Sequence, residues 1–206
     1  MAGPGLVAAP ALVAAHGLVG AHDLCPSKQV RPMSFHTSNA PSAERYVIRR
    51  ATASDVDAVA RIWYTGWLDA HLGNVPPELI RYRSRESFTP RTRDRIPAAW
   101  VLESGGEVVG VVVVADDELE QIYVDSAARG TGVAGKLLQQ AEREIRSAGH
   151  KKAWLAVVAG NGRARSFYAR LGWRDAGPFD YLAETDDGPL AVPCHRYEID
   201  LADRVG

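Results

Sequence analysis

Residues 118–159 change period twice, and that double change constrains the fold more than any other feature of the chain. ELEQIYVD (118–125) reads as a strand, rich in residues that suit a pleated surface. From Gly132 to Ser147 the apolar residues Val133, Leu137, Leu138, Ala141 and Ile145 recur at helical spacing, and Gly149 stops the run. KKAWLAVVAG then reads as a buried strand. A strand, a helix and a second strand at this spacing make a crossover. The strands 118–125 and 152–159 should therefore lie side by side and parallel.

The flanking segments fill in a mixed sheet. YVIRRAT, from Tyr46, reads as a strand. Ser54 is placed to cap a helix over 55–72, with Asp57 as its capping-box partner and Val56, Val59, Trp63 and Trp67 on the apolar stripe. Gly73 ends that helix. PPELIRYRSRESFTPRTRDRI is a second helical stretch, broken at Pro90. AAWVLES, a Gly-Gly turn at 105–106 and EVVGVVVVAD form a hairpin, with 118–125 the third strand in succession. Asn161 and Gly172 bound a short helix in NGRARSFYARLG. WRDAGPFDYLAE and VPCHRYEIDL close the chain as two strands around DDGP. The order β-α-α-β-β-β-α-β-α-β-β predicts an α/β fold of the α+β kind, a mixed sheet with helices on its faces. The folded domain should span 45–203. Residues 1–44, rich in Ala, Gly, Pro and Ser, read as a disordered tail, and Met33 within them is an alternative start.

Composition narrows the function. With 24% charged residues and a formal net charge of -1, the chain offers no polyanion a basic surface, so no nucleic-acid partner is expected. Its densest basic stretch, Arg81 to Arg95, is interrupted by Glu86 and Asp94 and reads as a solvated helix face. Cys25 and Cys194 have no metal-ligand spacing, even with His16 and His22 near Cys25, so no metal is expected. So few thiols suit a reducing cytoplasm. No apolar run reaches the roughly 18 residues of a membrane span. The apolar start mimics a signal peptide but has no Lys or Arg before Lys28, so neither membrane nor export is expected.

The loop between strand 118–125 and its helix carries the chemistry. Two close glycines let successive N–H groups turn into one concavity, and the helix N-terminus adds unsatisfied donors and partial positive charge. A pyrophosphate fits there without lysines. GTGVAG (130–135) also spells the dinucleotide fingerprint. DSAAR, however, separates the strand from the glycines, and no acidic residue follows about 20 positions on to hold a ribose.

Arg129, Gly132 and Ala134 form R-x-x-G-x-A, which resembles the acetyl-CoA signature of the GNAT family of N-acetyltransferases. Asn161, Ala164, Phe167, Tyr168, Gly172 and Trp173 reproduce that family's N-x-x-A-x-x-F-Y-x-x-x-G-F/W pattern. The two blocks span about 118–175, and the element order from 46 to 201 is also similar. The resemblance implies acetyl-CoA as co-substrate, with the backbone of Arg129, Gly130, Thr131, Gly132, Val133, Ala134 and Gly135 around its pyrophosphate. Ile122, Tyr123 and Val124 should run beside the pantetheine arm, with main-chain hydrogen bonds from Ile122 and Val124. In the family this strand bulges and splays from the next. Asn161 should contact the cofactor and Phe167 pack near it. Tyr168 should give a proton or hydrogen bond to the leaving sulfur, chemistry that suits a phenol with a reference pKa of about 10.

An alkylammonium acceptor must lose its proton before attack. Glu120, just before the expected bulge, is the candidate base, acting through water. Glu118 shares its side by strand alternation, and one of the two is free to be merely solvated. Asp125 is a further candidate, and some family members use no dedicated base. The acceptor site should lie over the splayed strands, with Trp63, Trp67, His71, Tyr82, Phe88 and Tyr181 as candidate liners. The acceptor itself, a primary amine, is not marked by any motif. A non-catalytic acyl-CoA sensor and a dinucleotide-binding protein are the alternative functions. A homodimer is compatible with the resemblance, though no residue asks for one.

Overall fold

The computed structural model describes residues 46–202. The expectations for residues 1–44, including the tail, the Met33 start and Cys25, lie outside these residues. One seven-stranded sheet organises the rest, in the order β1-β2-β3-β4-β5-β7-β6. Its strands are β1 (Val47–Arg50), β2 (Ala99–Ser104), β3 (Glu107–Ala115), β4 (Glu118–Val124), β5 (Lys152–Val158), β6 (Arg174–Ala183) and β7 (Leu190–Asp200). All neighbours are antiparallel except β4 and β5, which the crossover helix α4 (Val133–Ser147) makes parallel. The predicted element order holds, with the second helical stretch resolved into two short pieces.

Two apolar layers cover the sheet. On one face α1 (Val56–His71), α2 (Pro77–Ile80) and α3 (Phe88–Arg95) bury Trp63, Trp67, Leu79 and Phe88 against Val101, Val111, Tyr123, Ala156 and Tyr181. On the other, α4 and α5 (Gly162–Arg170) bury Leu137, Leu138, Ile145 and Tyr168 against Val112, Ile122, Leu155 and Tyr197. β4 lies between both layers and is buried at every residue. Such a strand has no solvated face, which is why ELEQIYV places two glutamates where charge is expensive.

Local chemistry corrects two boundaries. The first helix is entered through a 3-10 turn at Ala53–Asp55, and the capping carboxylate is Asp55, which accepts the Thr52 N–H at 2.7 Å; Ser54 and Asp57 do not form the box. Arg49 donates to both oxygens of Asp55 at 2.8 Å and holds its carboxyl down at about 2. The second helical stretch breaks at Arg81–Ser84, not at Pro90. Pro90 is the third residue of α3, where its missing N–H has no helical partner to lose.

Helix α1 crosses β4 closely at Gly66. A Cβ there would stand 2.4 Å from Cδ1 of the fully buried Tyr123. Gly66→Ala should gain about 1 kcal/mol of helix propensity. It should lose about 1–3 kcal/mol to overpacking of a ring that cannot retreat. We expect a net loss, read as a lower denaturation midpoint with an unchanged denaturant slope. A midpoint at or above that of the parent would show that the helix can ride up over Tyr123.

Candidate active site

The site begins where the sheet fails to close. β4 and β5 pair only at Glu118↔Trp154, and beyond that rung the strands part. The closed end is pinned by Trp154, whose backbone N–H donates to Asp117 O at 3.0 Å and whose indole N–H donates to Asp117 Oδ1 at 2.9 Å. On its other side β4 pairs with β3, and Asp125 N–H donates to Val109 O at 2.9 Å. Strand alternation then turns the peptide groups of Ile122 and Val124 away from β3, toward the opening. These are the two residues whose main chain was expected beside the pantetheine.

The expected bulge is present, and Glu120 is the bulged residue. Val113 pairs with Gln121 and Val114 with Leu119, so Glu120 is the extra residue opposite β3. The consequence for the side chains is large. Leu119 and Ile122 go to the α4–α5 layer, while Glu118, Glu120 and Gln121 all project into the α1–α3 side. Three polar groups therefore converge beside the opening.

Neither glutamate is solvated. Glu118 is 7% exposed and Glu120 3%. Arg95 Nε donates to Glu120 Oε1 at 2.6 Å. That ion pair offsets much of the burial, though burial still leaves the Glu120 carboxyl above its ordinary value. Glu118 has no cation on it. It accepts the Tyr181 hydroxyl at 3.3 Å, and burial, with Glu120 nearby, pushes its carboxyl up to about 8. Asp125 is set apart: it pairs with Arg61 at 2.6 Å and caps the turn that follows β4 through Ala127 N–H.

That turn delivers the glycine loop. Gly130 and Gly132 have φ of 81° and 88°, and Gly132 is the N-cap of α4. Space above both is open. The loop is fastened from outside its concavity: Arg129 donates to Asp69 at 2.5 Å, and the Thr131 hydroxyl donates to Ala128 O at 2.7 Å. Val133 and Ala134 are buried at the start of α4, and Gly135 is half-buried. The first amides of a 15-residue helix thus face an open cradle beside the parted strands.

From the other side α5 supplies Tyr168. Asn161 caps this helix, accepting Ala164 N–H at 3.0 Å. Phe167 packs edge-on to Tyr168 at 5.2 Å. The Tyr168 ring is completely buried among Phe167, Trp173 and Tyr197, and its hydroxyl has no hydrogen-bond partner. Burial, and then Tyr123, raise its pKa well above the ordinary value, so the phenol keeps its proton. An orphaned buried hydroxyl costs stability and points to a missing acceptor.

The acceptor-side liners divide. Trp63, Trp67, Phe88 and Tyr181 line one small chamber over the bulge. His71 does not: it is buried, stacked on Trp67, with Nδ1–H donating to Trp67 O at 2.9 Å. Tyr82 is at the periphery, donating to Asp187 at 2.5 Å. The basic stretch corrects the sequence reading most. Arg83, Arg91 and Arg95 are not on a solvated face; they turn inward and line the chamber with Gln121 and Glu184. Their return to one point depends on the break at 81–84, which no periodicity over 76–96 could show.

Among the described residues no group of three or more His, Cys, Asp or Glu side chains could hold a metal ion, and no helix is long and apolar enough to cross a membrane. Glu118 gives a pH test of this geometry. Its folded value lies above its unfolded one, so its contribution to stability is fully present below about pH 4.5 and is lost as pH rises through about 8. Glu118→Gln should therefore be more stable than the parent at pH 8.5 by up to a few kcal/mol, and the gap should close toward pH 4.5. Equal stabilities across that range, followed by chemical denaturation, would show that Glu118 is solvated.

A family profile described as Acetyltransferase (GNAT) family matches residues 60–173. The chain is 26% identical over 136 residues to Probable N-acetyltransferase Rv2775 of Mycobacterium tuberculosis, covering 60% of this chain and 76% of that protein. It is 36% identical over 84 residues to Uncharacterized N-acetyltransferase YjgM of Escherichia coli, covering 37% of this chain and 50% of that one. Among solved structures, an N-acetyltransferase from Staphylococcus aureus superposes with a TM-score of 0.58 at 21% identity, covering 76% and 99% of the two chains. The structure of yncA from Salmonella typhimurium with its cofactor acetyl-CoA gives 0.57 at 17%, covering 79% and 97%.

Proposed function

The chain belongs to the acetyltransferase (GNAT) family, and from that premise we propose that it moves the acetyl group of acetyl-CoA directly to a primary amine, with Tyr168 and the Glu118–Glu120 pair as its acid and base. The observation that carries the assignment is the buried, partnerless hydroxyl of Tyr168 on the α5 side of the parted strands. The residues fit the donor. The glycine loop offers backbone amides and a helix N-terminus for a pyrophosphate, and Ile122 and Val124 offer an unpaired strand edge. Acetyl-CoA supplies the thioester.

Each residue then has a bounded task. The unpaired edge of β4 aligns the pantetheine as an added strand would. Burial keeps the Tyr168 phenol protonated, so it stands ready to donate to a sulfur that gains charge as the acetyl group departs. Glu120, already engaged by Arg95, is the weaker proton acceptor of the pair. Glu118 has no cation and a value near 8, which places it between water and an alkylammonium of reference pKa about 10.4. We assign the proton uptake to Glu118, with Glu120 fixing Arg95 and raising its neighbour. The scarcity of cysteine supports the cytoplasm as the place of action.

Acetyl-CoA at about 100 times its dissociation constant should raise the unfolding midpoint by roughly 5–10 °C, and NAD should not. Tyr168→Phe should keep that shift and lose about 10²–10⁴-fold in kcat. Glu118→Gln should lose at least tenfold in kcat and erase the rise in rate through about pH 8. Full turnover in Tyr168→Phe would remove it as the acid. A non-catalytic acyl-CoA sensor would show the shift with no amine-dependent release of CoA.

A further inference from the structure

The chamber over the bulge has an unusual wall. Trp63, Trp67, Phe88 and Tyr181 make it apolar, yet Arg83, Arg91 and Arg95 all enter it. The carboxylates within reach are fewer. Glu120 takes Arg95 at 2.6 Å, and Glu184 stands 3.5 Å from the same guanidinium. Arg83 gives one N–H to each of two main-chain carbonyls, those of Tyr82 at 3.3 Å and Glu184 at 2.9 Å, which leaves part of its five-donor fork for a ligand. Arg91 Nε is buried with no hydrogen-bond partner, and so is Gln121 Oε1. Burial and mutual repulsion lower the pKa of both Arg83 and Arg91, Arg83 to about 10. Among the described residues Arg83 and Arg91 thus stand in an apolar wall with no carboxylate in ion-pair contact, Glu184, Asp186 and Asp94 acting on Arg91 only through space, a situation a bound anion relieves.

The shape limits what that anion is attached to. The chamber holds about 30 Å³, room for one small polar group. A groove of about 480 Å³ shares Arg91, Arg95 and Glu184 with it and carries Asp94 and Asp186 farther out. The groove's own carboxylates disfavour an anion there, so an anion belongs against the inner arginines. Gln121 and Tyr181 connect the same chamber to β4, Tyr181 through its bond to Glu118.

We propose that the acceptor is a small amine bearing a carboxylate, of the amino-acid type, with the carboxylate held by Arg91 and Arg83 and the amine turned toward Glu118. This rests on the acetyl-transfer reading above and specifies its second substrate. Arg91 presents a planar fork that fits a carboxylate with two parallel bonds. The arginines have a second effect: an ammonium alone is repelled from this wall, whereas a zwitterion is not, and their charge favours release of the ammonium proton to Glu118. A neutral amine lacks the anchor and leaves the arginines uncompensated.

The test uses the full chain. Acetyl-CoA binding is read first, by its thermal shift. Release of CoA is then measured with the L-amino acids and with the carboxamide of each. We expect turnover on at least one acid, with kcat/KM falling about 10–100-fold in the matching amide. Arg91→Gln should raise KM for the acid by a similar factor, leave the acetyl-CoA shift intact and bring acid and amide together, while Arg91→Lys should keep part of the preference. Arg83→Gln serves as the second variant should Arg91→Gln fail to fold. Equal rates on acids and amides, no turnover on any acid by a chain that binds acetyl-CoA, or an undiminished preference in folded Arg91→Gln would each overturn the inference alone. Absence of the acetyl-CoA shift would instead overturn the transferase reading, and this inference with it.

Discussion

The structure depends on one rung of hydrogen bonding not being followed by a second. β4 is the most enclosed strand of the sheet, and its neighbour β5 leaves it after Glu118↔Trp154. Unpaired peptide groups in the middle of a buried sheet are costly. They persist here because the two halves of the sheet are secured independently. β1–β4 form a continuous antiparallel ladder, β5 is paired along its length with β7, and α4 spans the two on one face. The indole of Trp154, anchored on Asp117 and covered by Arg196 at 4.0 Å, keeps the strands together at the closed end. The opening is thus a fixed property of the sheet's connectivity.

The bulge at Glu120 acts on that opening from within. Without it, strict alternation would send Gln121 to the opposite layer from Glu118 and Glu120. With it, all three lie on the α1–α3 side. One inserted residue therefore converts a hydrophobic strand into one with a polar edge facing the chamber. The two glutamates are then separated by their partners. Against the burial that raises it, the Glu120 carboxyl is held down by the Arg95 guanidinium, whereas Glu118, buried and beside Glu120 with only a phenol to steady it, rises to about 8, the arrangement by which a pair of like groups takes different tasks.

Much of this was legible in the residues. The β-α-β crossover, the glycine loop and the capped helix with Tyr168 are local patterns, each set by residues within one or two turns of each other. The glutamates were legible as candidates but not in their roles, because which of the two carries the cation depends on Arg95, 25 positions away. The arginines were misread for a similar reason. Interrupted by Glu86 and Asp94, they have the pattern of a solvated face, and only the fold of 76–96 into two short helical pieces turns three of them inward. The cap at Asp55 was missed because the chain enters α1 through a 3-10 turn, which advances the capping position by two residues.

A donor bound along the parted strands would also tie the chain's durability to metabolism. A ligand that lies along β4 does for this sheet what a neighbouring strand does elsewhere, and it adds stability only while it is present, in proportion to the logarithm of its concentration. The two sheet halves share a single β4–β5 rung, so a partial opening would begin at that seam, against the packing of the helices that span it. An acyl donor bound in the gap would bridge it and suppress such openings; at low donor they would be more frequent, and the exposed edges of β4 and β5 are where a protease or another unpaired strand would enter. Supply of such a donor would then bear on how long the protein lasts as well as on how fast it works.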